Sequence, residues 1–274
     1  MKSVVQVKEN AMSYKTTNTI SISVIIITKN EEKNIEACLQ SVCGWADEVI
    51  VVDDESTDRT VELARKYTDR IFFKKMDIEG RHRNWAYAQA KNKWVLSLDA
   101  DERATPELMQ EISEVIKKES PFGGFTIPRR NYIGKYWVRH GGWYPSPQLK
   151  LFQKDKFRYE EVQVHPRAFM DEPCGHLKSD IIHHSYRNFE DFLAKLNRQT
   201  TWEAEKWINT GCQMTLARII WRTIDRFFRR YVRKKGYKDG IYGFMVAYFD
   251  SFYQILSYAK YKELQKQIKA NDEK

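Results

Sequence analysis

Three short apolar runs, Ile22-Ser-Val-Ile-Ile-Ile-Thr28, Val49-Ile-Val-Val52 and Trp94-Val-Leu-Ser-Leu98, most constrain what this chain can fold into. They are rich in β-branched residues and do not alternate with polar ones. Both faces of each strand therefore need cover, the pattern of a parallel sheet between helices. Between the first two runs, Ile35, Leu39 and Val42 recur at close to helical spacing. After the second, Ser56 is placed to cap a helix that turns Val61, Leu63 and Ala64 inward. A short strand at 70–73, a helix across 85–92 and the strand at 94–98 continue the alternation. Thr105 as N-cap and Pro106 in the first turn open another helix over 106–118. Residues 21–118 thus read as an open α/β sheet. Residues 119–187 read as a mixed, more antiparallel lobe broken by Gly and Pro, with strands near 123–128, 131–138, 147–152, 156–164 and 180–186. Residues 188–274 read as helical, and residues 1–20 as a flexible polar arm.

Open α/β sheets bind ligands beyond the carboxyl ends of their strands. Three polar clusters fall there: Thr28-Lys-Asn-Glu31, Asp53-Asp54 and Asp99-Ala-Asp101. Two carboxylates one residue apart at the mouth of a buried strand offer hard oxygen ligands, suited to Mg2+ or Mn2+ held jointly with substrate phosphates. The same acids would also serve to end a strand and cap the next helix. Their place beside the other two clusters favours the ligand-binding reading.

The segments SVIIITKNEEKNI, EVIVVDDESTDRT, RNWAYAQAKNKWVLSLDADE and GGWYPSPQLKLF, in that order, resemble the family 2 glycosyltransferases of the GT-A fold over roughly residues 22–185. The resemblance implies a Rossmann-like open sheet with a mixed second lobe. It also implies that Thr28, Asn30 and Glu31 line a nucleotide pocket, that Asp54, beside Asp53, contacts uracil or ribose, and that Arg83 with Asn84 lies near the base and diphosphate. Asp99 and Asp101 would be the D-x-D pair, Asp101 the more direct metal ligand, and His183 stands where some GT-A enzymes supply a further one. Lys29 departs from the family, which often has an aromatic there that can stack on the base.

Transfer from a nucleotide-diphosphate sugar builds charge on the leaving diphosphate. A divalent cation with basic side chains such as Arg83 offsets it. The acceptor hydroxyl needs a base in reach, and one displacement then inverts the anomeric centre. The candidates are Glu160 and Glu161, with Glu161 preferred; adjacent residues of a strand point opposite ways, so only one enters the cleft. Many relatives carry a His-Glu dipeptide where this chain has His165-Pro166. Trp143, Tyr144 and Gln148 are candidates for an acceptor platform, since sugars pack on aromatic faces; aromatics beside Gly and Pro also serve as loop core.

The net charge of +9 invites a nucleic-acid reading until it is located. Nine cations against two acids fall within 217–240, leaving the rest of the chain nearly balanced. At about 100° per residue, Arg218, Arg222, Arg226, Arg229 and Arg233 share one side of a helix within roughly 80°, opposite Leu216, Ile220, Ile224, Phe227 and Tyr231. Such a helix suits a membrane-associating extension on anionic lipid, or packs its apolar side inward with a solvated basic face. The segment 241–259 carries Asp250 at its middle and does not read as a span. Four cysteines without C-x-x-C spacing fit a reducing compartment, and the first twenty residues have no signal-peptide pattern.

The tail RRYVRKKGYKDGIYGF, with LDADE and GGWYPSPQLKLF, also resembles the bacterial subgroup that extends lipopolysaccharide cores, typified by β-1,4-glucosyltransferases. That implies an inverting, metal-dependent transferase that uses a UDP-sugar and a lipid-linked glycan acceptor. It would be cytoplasmic and peripheral on the inner membrane, with oligomerisation through the C-terminal helices open. Transfer to polyprenyl phosphate is the alternative acceptor. A basic nucleic-acid-binding module is the alternative class, but no nucleic-acid motif is present and strand-end acids would repel a phosphate backbone.

Overall fold

The computed structural model describes residues 20–118, 120–162 and 167–272. The chain divides into two compact units, Met1–Arg129 with Pro147–His183, and Arg130–Ser146 with His184–Lys274. This differs from a boundary at 187: residues 130–146 group with the C-terminal helices, because Ile133 and Val138 share a core with Phe192, Leu196 and Val246. The expected arm lies outside the described residues except for Ile20.

In chain order the strands are β1 (Ile20–Thr28), β2 (Ala46–Asp53), β3 (Ile71–Phe73), β4 (Trp94–Asp99), β5 (Glu102–Ala104), β6 (Gly124–Ile127), β7 (Arg129–Ile133), β8 (Tyr136–Trp137), β9 (Gln148–Gln153), β10 (Phe157–Tyr159), β11 (Ala168–Met170), β12 (Cys174–His176) and β13 (Ile181–Tyr186). The helices are α1 (Ile35–Gln40), α2 (Thr60–Ala64), α3 (Glu79–Ala88), α4 (Pro106–Lys117), α5 (Phe189–Asn209), α6 (Leu216–Phe228) and α7 (Gly240–Asp272).

The first unit is built on a seven-stranded sheet in the order β12-β6-β9-β4-β1-β2-β3. β4, β1, β2 and β3 run parallel, and β9 enters antiparallel between β4 and β6. The apolar runs lie where two-sided burial demands. Ile22, Val24, Ile26, Leu96 and Leu98 pack on one face with α1 and α4, while Ile25, Ile50, Val52 and Val95 pack on the other with Ala86 and Tyr87 of α3. Because β2 and β4 flank β1 on opposite sides, the strand order reverses at β1, and a crevice forms there at the carboxyl ends. Thr28 and Asp53 are register partners at that edge, as are Ile27 and Asp99.

Thr105 caps α4 as expected, its hydroxyl accepting from Leu108 N with Pro106 in the first turn. Ser56 does not cap α2: its hydroxyl accepts from Asn30 N, and the carboxylate of Asp58 takes the Thr60 amide instead. Helix α3 starts at Glu79 rather than 85, its first turn being polar and so without a periodic signal. Among the described residues, the strand expected over 156–164 is Phe157–Tyr159, which pairs with β11.

In the second unit, Tyr136 stacks on Tyr242 at 4.1 Å and Phe192 meets Phe249, while Trp207, Met214, Ile219 and Tyr261 fill a second cluster. Gly243 is needed where it stands, since a Cβ there would lie 1.8 Å from the carbonyl oxygen of Gly236. Helix α6 is amphipathic as expected, but the arrangement with its apolar side packed inward and its basic face solvated does not hold. Arg226, and Arg230 in the turn that follows the helix, reach inward to Asp250 of α7 at 3.7 and 2.7 Å, and Leu216, Ile220, Trp221, Ile224 and Phe228 face outward. Among the described residues no helix is long and apolar enough to cross a membrane.

Candidate active site

The apolar run of β4 delivers Asp99 to the carboxyl edge, and a turn at Ala100 and Asp101 leads into β5. Lys150, buried in the middle of β9, donates to Asp99 Oδ2 at 2.8 Å and to Glu102 Oε2 at 2.7 Å. Arg83 of α3 donates through both terminal nitrogens to Asp99 Oδ1 at 3.3 Å, and Arg129 lies 3.5 Å from Glu102. Glu79 also accepts from Arg83 Nε at 3.1 Å, so three cations and three carboxylates form one balanced network here. Burial alone would push the Asp99 carboxyl up, but Lys150 and Arg83 outweigh it and hold the group well below the usual carboxylate range. Burial likewise disfavours charge on Lys150, yet Asp99 and Glu102 raise its pKa above that of an ordinary lysine.

With Asp99 engaged by cations, the acid left facing a different kind of partner is Asp101. Its Oδ2 lies 3.5 Å from His183 Nε2, both side chains mostly buried. The antiparallel pairing of β13 with β5, which sets His183 opposite Glu102, brings the two together. Among the described residues no cluster of three or more His, Cys, Asp or Glu could hold a metal by itself. A carboxylate and an imidazole do fit a hard cation whose other ligands are substrate phosphates and water.

A second polar cluster lies at the ends of β1 and β2. Asp54 is buried; its Oδ1 accepts from Met76 N at 2.8 Å and its Oδ2 pairs with Lys29 at 3.0 Å. Lys29, at the position where an aromatic is common, is thus the counter-ion of Asp54. Asp53 Oδ1 caps the Ser56 amide, while its Oδ2 and the Thr28 hydroxyl are buried with no partner among the described residues. Asn30, in the left-handed region at φ 53°, accepts from Thr57 N and so staples the loop after β1 to the loop after β2. Glu31 accepts from Asn34 Nδ2 and donates its amide to the Thr60 hydroxyl. These two hold the loops; Thr28, Asp53 and Asp54 line the edge.

Asn84 is spent on the scaffold. Its amide both donates to Tyr159 O and accepts from Tyr159 N, locking β10 beside α3. Gly80 makes that approach possible, as a Cβ there would lie 1.8 Å from the carbonyl oxygen of Glu160. Beyond β10, Glu160 turns to the Arg167 amide, and half-exposed Glu161 pairs with Arg81 at 3.2 Å. His165 and Pro166 lie outside the described residues. Trp143 and Tyr144 belong to the second unit, where Trp143 packs with Phe192 and Tyr186 and Tyr144 meets Trp137 edge-on. Gln148 is exposed at the start of β9 in the first unit.

Sequence reasoning missed Lys150, Glu102 and His82. A lone lysine inside the apolar strand QLKLF was a signal for the first. His82, fully buried in the first turn of α3, has no partner for either ring nitrogen among the described residues. Burial depresses its pKa, against the opposing pull of nearby Asp54.

Residues 23–175 match the family model described as Glycosyl transferase family 2. The chain is 25% identical over 248 residues to the lipopolysaccharide core biosynthesis glycosyltransferase LpsC of Rhizobium meliloti, covering 88% of this chain and 92% of that one. It is 28% identical over 262 residues to an uncharacterized glycosyltransferase of Rickettsia bellii, covering 90% and 87%. Among solved structures, S. aureus TarS 1–349 in complex with UDP is similar at a TM-score of 0.47 and 16% identity, over 89% of this chain and 92% of that one.

Proposed function

The chain belongs to glycosyl transferase family 2 and is a glycosyltransferase, and from that premise we propose that it moves a sugar from a UDP-sugar to a lipid-linked glycan of the lipopolysaccharide-core type, with inversion. The likeness to LpsC over most of both chains supports the acceptor class. The observation that carries the reading is the division of labour at the end of β4: Asp99 is clamped by Lys150 and Arg83, and Asp101 is left with His183.

In this reading the edge at Thr28, Asp53 and Asp54 takes the base and ribose, and the diphosphate lies against Arg83 and Lys150. The acceptor hydroxyl attacks the anomeric carbon from the face opposite the diphosphate. The bond from that carbon to the diphosphate breaks as the glycosidic bond forms, and the hydroxyl proton passes to Glu161. Both carboxylates are engaged, Glu161 with the Arg81 guanidinium and Glu160 with the Arg167 amide, and Glu161 is taken as the base because it is the more exposed of the two. Arg83 and Lys150 oppose the charge that gathers on the leaving oxygens, an arrangement that costs no reorganisation because the buried carboxylates already hold both cations in place. Asp101 and His183 would hold Mg2+ or Mn2+, which when bound supplies Lewis-acid stabilisation of the same oxygens. A lipid-linked acceptor sets the working place at the cytoplasmic face of the inner membrane.

The test is a panel of nucleotide sugars assayed for Mn2+-stimulated hydrolysis and for thermal stabilisation of the protein, which mass action links to affinity. One UDP-sugar should stand out, and Asp101→Asn should abolish the manganese effect while leaving the fold intact. A panel without response, or a metal response that survives in Asp101→Asn, would overturn the reading.

A further inference from the structure

Helix α6 is docked inside out. Ile219 is buried, and Arg226 and Arg230 point into the second unit to share Asp250, while Leu216, Ile220, Trp221, Ile224 and Phe228 are 48–69% exposed. A surface helix ordinarily does the reverse, because exposed apolar area is the costly term and cations are cheapest in water. Here the inward arginines are held by an acid placed for them, so the orientation is built in. The outward face does not stop at α6. Phe227 and Tyr231 contact Phe244 of α7 at 6.1 and 5.8 Å, and Phe244, Tyr248 and Phe252 then stack at successive turns, each partly exposed. Monomeric proteins rarely leave a continuous apolar patch of this extent without a use.

The charge around the patch says what covers it. Arg218 stands in the first turn of α6, and Arg229, Arg233, Lys234, Lys235 and Lys238 follow its end, all exposed. The two acids of the segment do not offset them all: Asp225 is drawn to Arg229 at 3.6 Å, and Asp239 is buried on His140 and the amides of Arg139 and His140. We propose that this face docks on an anionic lipid bilayer, with α6 lying along the headgroup plane, Trp221 and its apolar neighbours in the acyl boundary, and the cationic cluster on lipid phosphates. A second copy of the chain would bring the same cations against each other, which disfavours it as the occupant. The proposal takes its purpose from the lipid-linked acceptor reading but does not depend on it, since lipid binding is measured without any sugar transfer.

The experiment is flotation of the full chain with phosphatidylglycerol-containing vesicles and with phosphatidylcholine vesicles. The wild type should float with the anionic vesicles and much less with the neutral ones. The double variant Ile224→Asp/Phe228→Asp should lose binding by about tenfold or more, with its melting temperature and any nucleotide-sugar hydrolysis unchanged. Lys234→Glu/Lys235→Glu should lose binding to the anionic vesicles only. Quenching of tryptophan emission by brominated lipid should fall in Trp221→Phe, an exposed and conservative change that leaves folding aside. Undiminished flotation of the apolar double variant, or undiminished quenching in Trp221→Phe, would overturn the proposal. So would light scattering that shows a dimer dissociated by Ile224→Asp/Phe228→Asp.

Discussion

Lys150 Nζ lies 2.8 Å from Asp99 and joins it to Glu102, tying a central antiparallel strand to the carboxyl edge of β4. The pair explains how two acids are tolerated so close together in a buried place. Its cost of desolvation is offset only while both partners remain.

Lys150→Met should therefore destabilise the protein by about 3 kcal/mol, the low end for a broken buried pair because Arg129 still reaches Glu102. The sign with pH is fixed by Asp99, whose carboxyl is held below its unfolded value. That contribution is present above the unfolded carboxylate range and is lost as pH falls through the folded value. The gap in melting temperature between wild type and variant should be widest near neutrality and narrow below about pH 4; a gap that widens in acid would contradict the assignment.

Gly80→Ala should be worse than a surface glycine change. The added carbon meets the Glu160 carbonyl, so α3 and β10 must separate. A loss of about 1–3 kcal/mol is expected from overpacking, with a fall in turnover because Arg83 and the Glu161 segment shift together. Calorimetry alongside steady-state assays would measure both.

His82 is buried neutral, with a pKa depressed in the folded state. Below the unfolded histidine value near 6.5 the unfolded chain takes up a proton that the folded chain resists, so stability falls as pH drops from about 7 toward 5. The melting temperature of His82→Gln should show a flatter dependence over that range. An identical slope would show that other groups carry it.

Glu161→Gln should lower kcat by about 10²–10⁴-fold with KM little changed. Glu160→Gln, whose carboxylate accepts from the Arg167 amide, should stay within a few-fold of wild type. Equal losses in both variants would point to a structural role for the loop rather than to proton transfer.

The parallel strands β1 to β4, helices to cover them and the acidic mouth of β4 were legible in the chain, because β-branched runs, the Thr105-Pro106 cap and strand-end acids are dictated by short-range sterics and burial; the short strands β5, β11 and β12 were not. Two further features were not legible either, and a third, the meeting of Asp101 with His183, came only with the family resemblance. Lys150 meets Asp99 across 51 residues, and Asp101 meets His183 only because β13 pairs with β5. Helix α6 had two faces that its periodicity announced, but whether arginines or leucines turned inward depended on Asp250, an acid on another helix. What the amino-acid order settled alone is which segments hide and which face water. Which side chains become partners was settled by sheet order, register and helix docking, since a charge chooses its neighbour by distance in space and local sequence does not encode that distance.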